Sequence, residues 1–276
     1  MELGTKFKTI KLVFTTRKIV NITNILKGKN FEDLYFKVVN ESNLDALSKI
    51  IYIFAEDEAG IKSFKTSEEV YEFLDDYKEE TGKDVQVLLL QNHGIFVAAD
   101  TVEEIGVLFD SVIEKLEKQV KRTADVSNAV TPEKEQAAEK LSRLLGHRVE
   151  VVPAAEADNF VKDKTAAAPL LKPFTPDHIV YCGPYPLFVE NIDEAKSALD
   201  AFMAENDKEP RLILVQGVGA FIMEDDKGKA AKAQLLVKDA IKLAVYAESF
   251  GGPLQMTDEI TYFITHWEAE AYRSKK

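Results

Sequence analysis

The chain has 276 residues, 46% of them hydrophobic and 30% charged, enough for one large domain or two modest ones whose core needs no covalent staples. Its 35 Lys+Arg against 47 Asp+Glu leave a formal charge of −12, which argues against nucleic acid and against an anionic membrane surface as partners, since both demand a positive footprint. One cysteine, Cys182, excludes an internal disulfide framework and a cysteine-based zinc cluster, and no apolar run reaches the ~18–20 residues of a membrane span, so the expectation is an acidic, cytoplasmic protein.

Residues 1–65 are read as a strand-rich segment, from the β-branched runs at 10–16, 18–23 and 35–39. From Thr66 onward the signals sharpen. Ser67 is placed to cap a helix whose apolar positions Val70, Phe73, Leu74 and Tyr77 recur at i, i+3, i+4 and i+7, and Gly82 closes it. Residues 85–90 read as a buried strand, Asn92-His93-Gly94 as a turn and 95–98 as a second strand. Thr101-Val-Glu-Glu104 then forms a capping box ahead of a long amphipathic helix. Thr131-Pro132 opens another helix that Gly146 ends, and 148–152 is a strand candidate. The proline-rich stretch 166–176 reads as an irregular connector. Strands are expected at 179–182 and 187–189, followed by a helix capped by Asn191 and running to about Glu205.

An internal repeat organises the rest. Leu88-Leu-Leu-Gln-Asn-His-Gly-Ile-Phe-Val97 aligns with Ile213-Leu-Val-Gln-Gly-Val-Gly-Ala-Phe-Ile222 at a constant offset of 125, and a long helix follows each copy. Two strand–turn–strand–helix units imply an α/β protein with a mostly antiparallel, hairpin-rich sheet covered by helices, because a tight turn joins only antiparallel neighbours. Gly217-Val-Gly219 lacks the third glycine of a dinucleotide loop and is followed by a strand, so the hairpin reading wins.

His93 is the histidine most easily given chemistry. Asn92 and Gly94 both tolerate a left-handed backbone, so the bend is sharp, and the second copy carries Val218 in its place. The turn itself therefore needs no imidazole. His178 follows Asp177, which is placed either to orient the ring toward a ligand or to take part in a local turn. His147 follows a helix end, a favourable place for a cation; His266 is placed on the last helix as a packing or capping residue, and Cys182 reads as a small buried hydrophobe.

The stretch Val87-Leu-Leu-Leu-Gln-Asn-His-Gly-Ile-Phe-Val-Ala-Ala-Asp-Thr-Val-Glu-Glu104 resembles the Asn-His-Gly segment of the class II aldolase/adducin family. Phe174-Thr-Pro-Asp-His-Ile-Val-Tyr-Cys182, Gln216-Gly-Val-Gly-Ala-Phe221 and the tail from His266 to Arg273 are similar to its longer members, those like rhamnulose-1-phosphate aldolases. The resemblance covers residues 66–276 and leaves 1–65 unmatched. It implies a three-layer α/β/α fold and a homo-oligomer. It further implies a divalent metal, zinc above all, held through His93, with Asn92, Gly94 and His178 as substrate-binding residues and a sugar phosphate as the substrate. The metal of that family is a Lewis acid for cleaving or forming a carbon–carbon bond. This chain departs from the family pattern: no histidine precedes His93, so the His-x-His pair is missing, and Glu56-Asp57-Glu58 is the nearest upstream carboxylate cluster. Since a catalytic zinc takes three protein ligands and an open position, two readings stand side by side. One is a lyase. The other is a non-catalytic, adducin-like scaffold or small-molecule binding protein of the same fold.

Overall fold

The computed structural model describes residues 86–90, 92 and 94–266, together with single positions between 69 and 82. The expected strands of 1–65, the cluster 56–58, His93 and the tail beyond His266 lie outside the described residues. The protein is a mixed helix-and-sheet, α/β chain that divides into two compact units, Met1–Phe109 and Asp110–Lys276.

In the first unit, Glu69, Glu72, Asp76 and residues 78–80 are helical. Strands β1 (Val87–Leu90) and β2 (Gly94–Val97) follow as an antiparallel pair. Helix α1 (Val102–Glu117) then begins on its capping box: the Glu104 amide donates to Thr101 Oγ1 at 3.2 Å, and the Thr101 amide donates to Glu104 Oε2 at 3.1 Å.

The second unit holds α2 (Pro132–Leu145), β3 (Val149–Val151), the single turns α3 (Ala157–Phe160) and α4 (Lys164–Ala167), and α5 (Pro176–Cys182). After these come β4 (Leu187–Val189), α6 (Ala195–Glu205), β5 (Leu212–Val215), β6 (Gly219–Met223), α7 (Lys227–Ala247) and α8 (Asp258–Thr265). Its sheet runs β3-β6-β5-β4. β6 pairs antiparallel with both β3 and β5, whereas β4 runs parallel to β5, with α6 as the crossover between them.

Side chains of the two central strands alternate between two apolar cores. Leu212, Leu214, Ala220 and Ile222 join Ala230, Ala233, Val237 and Ile241 of α7 on one face. Ile213, Val215, Phe221 and Met223 join Leu141 and Leu145 of α2 and Leu199 of α6 on the other. Both faces are therefore dry. That explains why β5 and β6 are apolar at every position rather than at every second one.

One expected strand is a helix. Residues 179–182 belong to α5, which starts as α2 does: Thr175 caps it, Oγ1 accepting the His178 amide at 3.4 Å, and Pro176 occupies the first turn. A first-turn proline has a preset φ and no amide to waste, so this signal overrides the β-branched pair Ile179-Val180. Gly183, at φ +85, ends the helix with its amide bonded to Ile179 O at 3.1 Å. The left-handed φ is what calls for glycine, since a Cβ there would meet only ordinary contacts, 3.4 Å from Glu209 O and 3.5 Å from the Arg211 nitrogen.

Candidate functional site

The hairpin turns are built first by register. In β1–β2 the partners are Val87 with Val97, Leu88 with Phe96, Leu89 with Ile95 and Leu90 with Gly94. In β5–β6 they are Leu212 with Ile222, Ile213 with Phe221, Leu214 with Ala220 and Val215 with Gly219. Each member of the second set stands 125 positions after its counterpart in the first. The same offset relates the bonds that close the open ends, Ala98 N–H to Gln86 O at 2.9 Å and Met223 N–H to Arg211 O at 2.8 Å. It also relates the first residues of the helices that follow, Val102 and Lys227.

Each turn contains one left-handed residue at the matching place, Asn92 at φ +58 and Gly217 at φ +68. Asparagine is one of the few residues that adopts this region without a large penalty. Asn92 is half-buried, and Gly94 opens β2 opposite Leu90. These two candidates share one hairpin. His93 itself, the candidate metal ligand between them in sequence, lies outside the described residues.

In the second turn the amides are taken by the protein: Gln216 N–H donates to Val189 O at 2.8 Å, Gly217 N–H to Val161 O at 2.7 Å and Val218 N–H to Val215 O at 3.0 Å. Val218 packs against the core on the α2 face of the sheet. Beside it the stem of Lys134 lies over Gly219, and the Lys134 ammonium reaches Asp158 Oδ1 at 2.7 Å and Ala129 O at 3.1 Å. This end of the second hairpin is a packed structural turn.

His178 belongs to the second unit and is 3% exposed. Its Nδ1 lies 2.9 Å from Thr175 Oγ1, the same hydroxyl that accepts the His178 amide. Nε2 faces Asp239 Oδ2 at 3.5 Å, within ion-pair range but without a hydrogen bond, and Phe174 packs edge-on to the ring. One turn further along α5, the Cys182 Sγ points at Ala233 O at 3.6 Å. Burial pushes the Cys182 thiol up to about 12, against the pull of Arg211 and with a further push from Asp239, so it is no nucleophile at neutral pH.

His147 lies just past α2. Its Nδ1 is 3.0 Å from Asp225 Oδ2, and Asp225 Oδ1 accepts the Arg148 amide at 2.8 Å. Sequence reasoning saw a helix-end cation here and missed the Asp225 partner, although Asp225 stands 125 positions after Asp100 in the repeat. His266 caps α8, stacked on Tyr262 with ring centroids 4.0 Å apart.

Among the described residues no group of three His, Cys, Asp or Glu side chains converges as a metal centre requires, so the described part of the chain does not by itself fit a catalytic zinc. Nor is any described helix long and apolar enough to cross a membrane. No protein-family model matches the chain, and no curated protein matches it.

Proposed function

We propose that the chain is a class II aldolase/adducin-type lyase acting on a sugar phosphate, with its chemistry in the first unit and a second unit that keeps the hairpin frame without the histidine. The observation that carries this reading is the common register of the two hairpins, together with the residue at the bend. The sequence puts His93 after Asn92 in one copy and Val218 after Gly217 in the other. A frame used twice does not need an imidazole, so the copy that has one is the copy assigned to a ligand. Helices on both faces of the second unit's sheet support the three-layer α/β/α arrangement of that family. Zinc, held through His93, would supply the Lewis acid that steadies the enediolate left by carbon–carbon cleavage. The homo-oligomer and the cytoplasmic location belong to the same proposal.

The second reading, a non-catalytic scaffold or binding protein of the same fold, is favoured by the second turn, where the half-buried Val218 packs against the core and the amides are internally bonded. Metal content and cleavage separate the two. For the lyase, purified protein carries stoichiometric divalent metal, His93→Ala removes it, and a ketose 1-phosphate is cleaved to two carbonyl fragments. A folded, metal-free protein that stays inert with added zinc leaves only the scaffold or binding protein.

A further inference from the structure

Helix α1 carries two apolar faces where its counterpart α7 carries one. Ile105, Leu108 and Val112 are half-buried and stand 125 positions before Ala230, Ala233 and Val237, which are buried on α7. A second stripe, Val102, Gly106, Phe109, Ile113 and Leu116, runs beside them on the helix surface. It faces solvent, its four side chains between 36% and 79% exposed. At three of these positions the repeat puts a polar residue on α7: Lys227 for Val102, Gln234 for Phe109 and Lys238 for Ile113. The frame that the two copies share therefore does not call for this stripe.

The stripe advances by four and three residues in turn, the seam that a second helix fills by knobs-into-holes packing. It runs for about 21 Å at ~1.5 Å per residue. Gly106 leaves a gap in it, where a Cβ would meet nothing within 4 Å, so a partner side chain has room to approach the backbone. Along one edge, seven residues apart, stand Glu103, Asp110 and Glu117, all exposed and, among the described residues, paired with no cation. The other edge is the half-buried face. Lys115 and Lys118 fall on the far side of the helix, where Lys118 lies 4.0 Å from Glu114.

We propose that this face of α1 docks a basic amphipathic helix, with the partner's apolar residues in the stripe and its lysines or arginines against Glu103, Asp110 and Glu117. A second copy of the chain does not fit. In an antiparallel pair Asp110 meets Asp110 and Glu103 meets Glu117; in a parallel pair the acids lie over Ile105 and Val112. Neither arrangement supplies a countercharge. The same acids are repelled by an anionic lipid surface. The site is one face of one helix and stands or falls independently of the lyase reading.

The experiment titrates the full chain into a labelled synthetic helix and follows fluorescence anisotropy. The probe is a peptide of about five turns with leucine at the seam positions and lysine on the flanks. One control has the same composition in scrambled order, and the other has glutamate in place of lysine. The probe is expected to saturate with a dissociation constant on the order of 10 µM, and both controls to bind at least about tenfold more weakly. Ile113→Lys, and separately Asp110→Lys with Glu117→Lys, are each expected to weaken the probe about tenfold. Glu135→Lys with Glu139→Lys on α2, an equal change in charge, is expected to leave it within about twofold. All of these positions are exposed, so the variants are expected to stay folded, which circular dichroism verifies. Equal binding of the scrambled peptide, equal weakening by the α2 pair, or no binding of the probe up to about 1 mM overturns the proposal. So does self-association of the chain that Ile113→Lys abolishes.

Discussion

The hairpins β1–β2 and β5–β6 share register, a left-handed residue at the bend and the spacing to the following helix, yet their helices are treated differently. α7 buries Ala230, Ala233, Val237, Ile241, Ala244 and Val245. The positions 125 residues earlier are Ile105, Leu108, Val112 and Leu116 on α1, with Gln119 and Val120 just past its end; Ile105 and Leu108 are larger and more apolar than their counterparts, yet α1 has no buried residue. Where α7 shows solvent Lys227 and Lys232, α1 has Val102 and Val107, 79% and 68% exposed. The lesson is that a hairpin's register is set locally by its strands and turn, while what its helix contributes depends on what packs against it.

The largest expected effect tests that difference at one matched pair. Ile241 is fully buried on α7, and Leu116, its counterpart on α1, is 47% exposed. Truncating a buried branched side chain forfeits its transfer free energy and leaves a cavity, at a cost of ~2–5 kcal/mol. Ile241→Ala is therefore expected to shift the urea-unfolding curve strongly, and Leu116→Ala to cost less than ~1 kcal/mol. Equal losses would mean that both helices are covered to the same degree.

Much of this organisation is legible in the amino-acid order. The β1–β2 pair, the Thr101–Glu104 capping box, the Thr131-Pro132 opening of α2 and its Gly146 end all rest on interactions between residues a few positions apart, which a single sequence displays. Residues 179–182 read as a strand in the sequence because Ile-Val-Tyr has strand character, although Thr175-Pro176 repeats the Thr131-Pro132 signal that marks α2. The parallel pairing of β4 with β5 depends on where α6 carries the chain, and no local pattern encodes that. The His147–Asp225 contact is hidden for the same reason: its two residues come together from separate connections.

The caps of the two helices offer a smaller and sharper contrast. α1 is capped by the Thr101 hydroxyl and α7 by the Asp226 carboxylate, whose Oδ1 accepts the Lys229 amide at 2.9 Å. That backbone hydrogen bond holds Asp226 below the usual carboxylate range, with weaker help from Gly228, Lys229 and Lys232 against slight desolvation. A carboxyl whose folded value is depressed stabilises the fold at pH values above its unfolded value, about 3.9, and loses that contribution as pH falls through the folded value. Thr101→Ala is expected to cost about 1 kcal/mol with little change on acidification. Asp226→Ala is expected to destabilise at pH 7 and to converge on the parent protein as pH drops below about 4. Urea unfolding at pH 7 and pH 3 measures both, and a pH-independent Asp226→Ala effect would show that the carboxylate is not the cap.

The smallest effects are at the bends, where one frame has Asn92 and the other Gly217. A Cβ at Gly217 meets nothing within 4 Å, so substitution there carries no clash and reads out backbone strain alone. Alanine at φ +68 is expected to cost ~1–2 kcal/mol. Asparagine bonds locally to its own backbone and tolerates this region, as it does at Asn92, so Gly217→Asn is expected to cost clearly less than Gly217→Ala. Asn92→Gly keeps the left-handed bend but removes the side chain and what it contacts, and is expected to cost about 1 kcal/mol or less. Thermal and urea unfolding of the three variants rank them. Equal costs for alanine and asparagine at 217 would show that the second bend relaxes away from the left-handed region, and that the two turns match in sequence position without matching in conformation.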